Sequence, residues 1–437
     1  MALGGSFEKS GGNFSLSNSS FLLLENLTWT SDSLLEIKTL DLDNYSLTLG
    51  SASSDLKIID PLNLDHSDEK LISGAADLEF SGMLSISGGE VTSTAGTVAI
   101  NGTSSLSSGT FSVSSGTLAM GGGFEKNGGT LSILNTSFSL LDNLTWTSDS
   151  LLEIKTLELD NFSLTLGSES SDLKIIDPLT LDHSNEKLIS GAADLEFSGL
   201  LSISLGELSS SNGKIQLEQG VILSGGEFKV PNSTLVIGNQ FNKTGGSANL
   251  AGTNLQLFSD LSLTSDTLLS IQSLDLNQQK LTLSDTNSDL EVQNLLEIDD
   301  VNEGLITGNA DLELKQGISI SAGEVTSTAG TVAINGASSL NSGTLSLTSG
   351  TLALGGSFEK SGGTLSLSDS SFSLLENLTW TSDSLLEIKT LELDNFSLTL
   401  GSPSSDLKII DPLALDHSNE KLISGAADLE FSGLLNI

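Results

Sequence analysis

Apolar residues recur along this chain in short triplets whose outer positions are apolar and whose middle position is polar. This alternation is typical of a β-strand with one buried face, since successive side chains of a strand point to opposite sides. In a central stretch the triplets follow one another at steps of about 20 residues. A shorter step, from Leu235 to Ala248, then completes a longer period. The triplets of this stretch begin at Leu131, Leu152, Leu173, Leu195, Ile215 and Leu235.

The segments between the triplets have the composition of turns, for example GSESSD, SGAAD and SNGK. Strands and turns at a period of about 20 residues predict an all-β fold, a parallel β-solenoid or β-helix, in which each strand pairs with its equivalent in the next coil. Helix is disfavoured because no period of about 3.6 residues is sustained. The alternative is a series of tandem immunoglobulin-like β-sandwiches, which need strands about every 8 to 12 residues.

A second, longer period of 117 residues runs through the chain. The stretch NLTWTSDSLLEIKTLELDNFSLTLGS recurs almost unchanged, and the third copy, in which Leu263 takes the place of tryptophan, has diverged. We expect one continuous repeat array over residues 1–437, cut from something longer because both ends fall inside a repeat. The predicted copies are about 2–118, 119–235, 236–352 and a truncated 353–437.

The tryptophans of the other three copies are predicted to be packing residues, because leucine can fill the same place less fully. They are Trp29, Trp146 and Trp380.

The charge balance narrows the possible partners. The chain has 17 basic residues, all of them lysine, against 56 acidic ones, for a formal net charge of -39. Such a surface repels phosphate backbones, so we expect no nucleic-acid partner. The absence of cysteine excludes disulfides and thiolate metal sites. No apolar run approaches the length of a membrane span, and we expect no membrane insertion in this segment.

Aspartates recur just before apolar triplets, in all copies including the diverged one. Two interpretations are open: the carboxylates accept hydrogen bonds from N–H groups two or three residues further along the turn, or their oxygens, stacked coil on coil, bind Ca²⁺. The turn role is favoured because the calcium-binding nonapeptide motif is absent. The aspartates are Asp32, Asp55, Asp77, Asp149, Asp172, Asp194, Asp266, Asp289, Asp311, Asp383, Asp406 and Asp428.

Histidine occurs three times, always in the sequence LDHS, and we interpret these positions as solvated turns. A catalytic triad would need serine, histidine and aspartate in one geometry with an oxyanion site. A reaction centre is also usually single, whereas this surface is repeated. We therefore expect no catalytic residue, no cofactor other than possible calcium, and no enzyme activity. The histidines are His66, His183 and His417, and Asp300 replaces them in the third copy.

The runs SSGTFSVSSGTLAMGG, NSGTLSLTSGTLALGG and SGGTLSLSDSSFSL resemble glycine–threonine–leucine runs in bacterial autotransporter passengers and filamentous haemagglutinin-like exoproteins. The resemblance implies a right-handed parallel β-helix, displayed at the cell surface or extracellular, that serves adhesion or fibre formation. No functional residue is carried over from it.

We expect the chain to be a structural shaft segment of a long extracellular adhesin or surface filament, acting as a rigid spacer. The alternatives are a self-assembling extracellular fibre subunit, and a carbohydrate-binding or carbohydrate-active β-helix. Self-association end to end or laterally is expected to be possible because a solenoid exposes strand edges and apolar coil faces at its ends. Any host-cell or glycan ligand would bind elsewhere in the full-length protein.

Overall fold

The computed structural model describes residues 1–12 and 14–437. These residues form 54 strands, and the described part of the chain contains no helix that is long and apolar enough to cross a membrane.

The strands are numbered in chain order. Strands β1 to β14 are Ala2–Lys9, Leu16–Ser31, Leu35–Asp41, Ser46–Leu49, Leu56–Ile58, Leu62–Leu64, Lys70–Gly74, Leu78–Phe80, Leu84–Ile86, Glu90–Ser93, Thr97–Ile100, Ser104–Leu106, Thr110–Val113 and Thr117–Lys126. Strands β15 to β29 are Thr130–Ile133, Ser137–Thr147, Leu152–Ile154, Thr156–Glu158, Ser163–Leu166, Leu173–Ile175, Leu179–Leu181, Lys187–Gly191, Leu195–Phe197, Leu201–Ile203, Glu207–Ser210, Lys214–Leu217, Val221–Leu223, Glu227–Lys229 and Thr234–Lys243.

Strands β30 to β44 are Ser247–Asn249, Asn254–Ser265, Leu269–Ile271, Ser273–Asp275, Lys280–Leu283, Leu290–Val292, Leu296–Ile298, Gly304–Gly308, Leu312–Leu314, Ile318–Ile320, Glu324–Ser327, Thr331–Ile334, Ala337–Leu340, Thr344–Leu347 and Thr351–Lys360. Strands β45 to β54 are Thr364–Leu367, Ser371–Ser382, Leu386–Ile388, Thr390–Glu392, Ser397–Leu400, Leu407–Ile409, Leu413–Ala414, Lys421–Ile423, Leu429–Phe431 and Leu435–Asn436.

The predicted parallel β-solenoid is confirmed, because strands pair in parallel with strands about one coil away. For example, β17 pairs with β20, and β20 pairs with β23, each time in parallel. These three strands are the triplets that begin at Leu152, Leu173 and Leu195. Tandem immunoglobulin-like sandwiches are wrong for this chain, because those domains are built from antiparallel strands.

The triplets bury their outer positions and leave their middle position facing outward. In β17, Leu152 and Ile154 are buried whereas Glu153 is exposed. The turns between strands use residues that tolerate a left-handed backbone: Asp160 and Asn161 have φ of 52° and 71°. The short period of the sequence therefore reflects one buried apolar column with polar corners.

The described chain forms two compact units. The first comprises Met1–Ile215 with Gly225–Lys229, and the second comprises Gln216–Ser224 with Val230–Ile437. These limits do not follow the copy boundaries, since the predicted second copy contributes residues to both units.

Three strands make one coil. In the first unit β10, β11 and β12 form a coil, and each pairs with a strand of the following coil, as in Glu90 with Thr110 and Thr97 with Thr117. The third pairing joins Ser104 to Phe124, in the C-terminal half of β14. Each unit thus carries three parallel ladders, one for each strand of the coil.

One copy of the repeat is not a whole number of coils. The segment of β2 that contains Trp29 begins a ladder that continues through β4, β7, β10, β13 and β15. Strand β15 therefore lies five coils after Trp29. Trp146 lies beyond β15, at the end of β16, and its segment belongs to another ladder, with β12, β14 and β19. A copy therefore spans five coils and two of the three strands of a sixth.

The second unit repeats this offset. From Leu263 in β31, one ladder runs through β34, β37, β40, β43 and β45. Trp380, at the equivalent position of the next copy, lies in the ladder of β39, β42, β44 and β49. Equivalent residues of consecutive copies within a unit consequently lie on different faces of the solenoid.

Candidate functional site

The first aspartate of each copy pairs with a buried lysine. In the second copy Lys126 follows Phe124 at an inward-facing position of β14, and its ammonium donates to Asp149, 23 residues further on. The lysine side chain is 7% exposed and the aspartate side chain 49%. A hydrogen bond with this lysine lowers the pKa of Asp149 below its ordinary value. The equivalent pairs are Lys9–Asp32, Lys243–Asp266 and Lys360–Asp383.

The same hydrogen bond lowers the pKa in two further copies. The carboxyls concerned are Asp32, beside Lys9, and Asp383, beside Lys360. These lysines were not predicted, although the same spacing between lysine and aspartate recurs in all four copies.

The second and third aspartates form a row that links one coil to the next. Oδ1 of Asp172 accepts the N–H of Asp194 at 2.9 Å, and Oδ1 of Asp194 accepts the N–H of Lys214 at 2.7 Å. The turn role was predicted with partners two or three residues away, whereas these partners lie 22 and 20 residues away. The row thus ties neighbouring coils rather than a single corner.

The other copies contain the same row. Its bonds join Asp55 to Asp77 and Asp77 to Thr97, Asp289 to Asp311 and Asp311 to Thr331, and Asp406 to Asp428.

The twelve aspartates do not gather into groups that could supply several ligands to one Ca²⁺ ion. Calcium takes six to eight oxygen ligands, yet the carboxylates described above accept hydrogen bonds from a lysine or a backbone N–H. Among the described residues, the groups of three side chains close enough to share an ion contain none of the twelve. Calcium binding by these aspartates stays the less favoured of the two interpretations, and a titration tests it.

The histidines lie exposed in turns, as the LDHS pattern predicted. The imidazole of His183 is 54% exposed and approaches Asp182 and Glu186, while the Glu186 side chain is buried. Oε2 of Glu186 accepts the N–H groups of Asp182 and His183 at 2.8 and 3.1 Å. The glutamate therefore holds the turn together, a role that was not predicted from the sequence.

The tryptophans are packing residues, as predicted. Trp146 is buried and stacks on Phe124 with ring centroids 4.1 Å apart, while Phe138 meets it edge-on at 5.8 Å. The leucine at the same place in the third copy, Leu263, is also buried. Nε1 of Trp146 has no hydrogen-bond partner, as is also true of Trp29 and Trp380.

Buried hydroxyls complete the corner next to each lysine–aspartate pair. Ser171 is fully buried; its Oγ accepts the N–H of Ser148 at 2.9 Å and lies 3.3 Å from the Ser148 carbonyl oxygen, to which it donates. A hydroxyl both donates and accepts, so one serine satisfies two groups of the neighbouring coil. The equivalent serines are Ser54, Ser288 and Ser405.

Compared with protein-family models, curated proteins and solved structures, the chain shows no match in any of the three.

Proposed function

We propose that this chain is a structural shaft segment of a long extracellular adhesin or surface filament, and that it acts as a rigid spacer. The observation that carries the proposal is the continuity of the parallel ladders within each unit, where strand after strand pairs with the coil before and after it. The extracellular location rests on the resemblance of the glycine–threonine–leucine runs to surface exoproteins.

The chemistry of the corners supports a mechanical role. Buried lysines, buried serines and the aspartate rows all link residues about one coil apart, so several consecutive coils of each copy are joined by side chains as well as by the backbone. In repeat proteins of this kind, stability is roughly a sum of coil and interface contributions. Features that repeat in every copy suit a spacer better than a reaction centre, which needs one unique arrangement of groups.

Electron micrographs of the isolated chain test the spacer role. We expect elongated particles, because within each unit the parallel ladders join each coil to the next. Globules joined by hinges would contradict the proposal. A glycan array with the same preparation provides the control for a binding role, and specific glycan capture by this chain would favour a carbohydrate-binding module instead.

A further inference from the structure

We propose that the three turns with the sequence Asp-His-x-x-Glu are binding sites for a divalent transition-metal ion such as Zn²⁺. In the second copy the site consists of Asp182, His183 and Glu186, whose ligand atoms all lie within 4.8 Å of one another. The equivalent sites are Asp65, His66 and Glu69 in the first copy, and Asp416, His417 and Glu420 in the fourth.

Of the two distances from the imidazole, one matches the separation between two ligands of a coordinated ion and the other is that of a hydrogen bond. Nδ1 of His183 lies 2.7 Å from Oδ1 of Asp182 and 3.4 Å from Oε1 of Glu186. Zinc binds nitrogen and oxygen at about 2.0–2.2 Å in a tetrahedral arrangement, so neighbouring ligand atoms are about 3.3–3.6 Å apart. The histidine and Asp182 side chains are both more than half exposed, and they can separate by the remaining fraction of an ångström without disturbing the core.

The glutamate is held in place before any ion binds. Its side chain is only 7% exposed, and Oε2 is engaged by the N–H groups of Asp182 and His183. Oε1 is the oxygen turned towards the imidazole, and it also accepts the N–H of Asn161, in the preceding coil, at 3.4 Å. Because its partners are backbone groups, Glu186 loses little freedom when it becomes a ligand, which favours binding.

A cavity beside the turn leaves room for the rest of the coordination shell. It has a volume of about 340 Å³ and is lined by His183 and Glu186 together with Glu158 and Asp160 from the preceding coil. The two additional carboxylates, both solvent-exposed, add negative charge beside the turn, and the open cavity has room for the waters that would complete the shell of an ion held by three side chains.

The third copy shows that the histidine is not needed to build the turn. Asp300 stands in its place, and Glu303 still accepts the N–H groups of Asp299 and Asp300 at 2.8 and 3.3 Å. The aspartate carboxylate instead accepts the N–H of Asn302 at 2.9 Å. The turn therefore forms equally with aspartate or with histidine at this position.

The ligand set selects the class of ion. Imidazole suits zinc, copper and nickel, whereas calcium and magnesium prefer oxygen ligands only. The ion would occupy the position between Nδ1 and the carboxylates; a proton on Nδ1 would leave to solvent, or the neutral ring would carry its proton on Nε2.

Isothermal titration of the full chain with Zn²⁺, in a buffer that does not bind metal, tests this proposal. We expect about three ions per chain, one for each turn with histidine. Each of the substitutions His66→Asp, His183→Asp and His417→Asp should remove one equivalent, and the triple variant should remove all three. Aspartate is the residue that the third copy already carries, so these variants are expected to keep the fold, which circular dichroism verifies.

The third copy also allows a gain of function. Asp300→His should add one equivalent of zinc, because Asp299 and Glu303 already stand at the corresponding places. Zinc uptake that is unchanged in the folded triple variant would overturn the proposal, and so would the absence of uptake by the unmodified chain at millimolar zinc. Equal uptake of Ca²⁺ at the same turns would also overturn it, because it would show that the histidine plays no part.

Discussion

The second and third copies build the same coil with different buried side chains around Trp146. Around Trp146 the second copy packs three aromatic rings, whereas the third copy has Leu263 for the tryptophan and Leu255 for Phe138. Both leucines are buried. The coil therefore needs an apolar side chain of sufficient size at these positions, but not an aromatic stack.

Of the polar side chains described above, the third copy keeps some and has lost others. The third copy keeps the buried Lys243 with Asp266 and the buried Ser288. It also keeps Glu303, which accepts N–H groups of its turn, while the histidine of that turn is replaced by Asp300. What survives divergence is the set of contacts that join one coil to another or close a turn. What changes is either exchangeable packing or surface chemistry.

The largest loss of stability is expected when the side chain of the buried Trp146 is removed. Trp146→Ala should lower the free energy of unfolding by about 3–5 kcal/mol, because it leaves a cavity in a packed core. Trp146→Leu, which copies the third repeat, should cost clearly less. Guanidinium unfolding followed by circular dichroism measures both variants, and equal losses for alanine and leucine would break the comparison.

The buried serines should come next. Ser171→Ala leaves the N–H of Ser148 without its acceptor, and Ser288→Ala does the same to Ser265. Each should cost about 1–3 kcal/mol, the usual penalty for an unsatisfied buried group. The same unfolding experiment applies. Because this contact is kept in the diverged copy, the two losses should be similar, and a loss confined to one copy would argue against a shared role.

A smaller effect is expected from the lysine–aspartate pairs, and it depends on pH. The pKa of Asp149 is lowered in the folded chain below its ordinary value of 3.8. A lowered pKa means that the contribution is present above pH 3.8 and is lost as the pH falls through the folded-state value. Melting temperatures should therefore fall steeply below about pH 4, and Asp149→Asn should make that fall shallower. An unchanged acid profile in the variant would show that the pair contributes nothing.

Calcium should have the smallest effect. Millimolar Ca²⁺ is expected to leave the melting temperature of the chain unchanged, because in both copies the aspartates of the rows already accept backbone hydrogen bonds and the first aspartate is paired with a lysine. An equal concentration of Mg²⁺ controls for simple screening of charge. A rise specific to calcium would revive the calcium interpretation of the aspartate rows.

The strand alternation predicted much of the fold, because it depends on local chemistry. Triplets such as those at Leu152 and Leu173 indicated both the buried face and the coil length, and the structure pairs them directly. The inward-facing Lys126 was not identified, since a lysine in sequence gives no sign of burial until its partner is known. The reach of Asp172 into the next coil was likewise hidden, because it depends on which coils are neighbours.

The offset between copies was also missed, although a signal for it was present. The last step between triplets, from Leu235 to Ala248, covers only about two-thirds of a coil. A remainder of that size shows that the long repeat and the coil are out of step. Without the strand pairings, the short step could equally have been a turn or a missing strand.

The mismatch between the length of a copy and a whole number of coils matters when further copies are inserted. Inserting one further copy would turn everything beyond it through a third of a circle, because a copy spans five coils and two of the three strands of a sixth. A surface group would return to its original side only after three insertions. Duplication would therefore distribute any ligand-binding group around the axis instead of lining it up along one side.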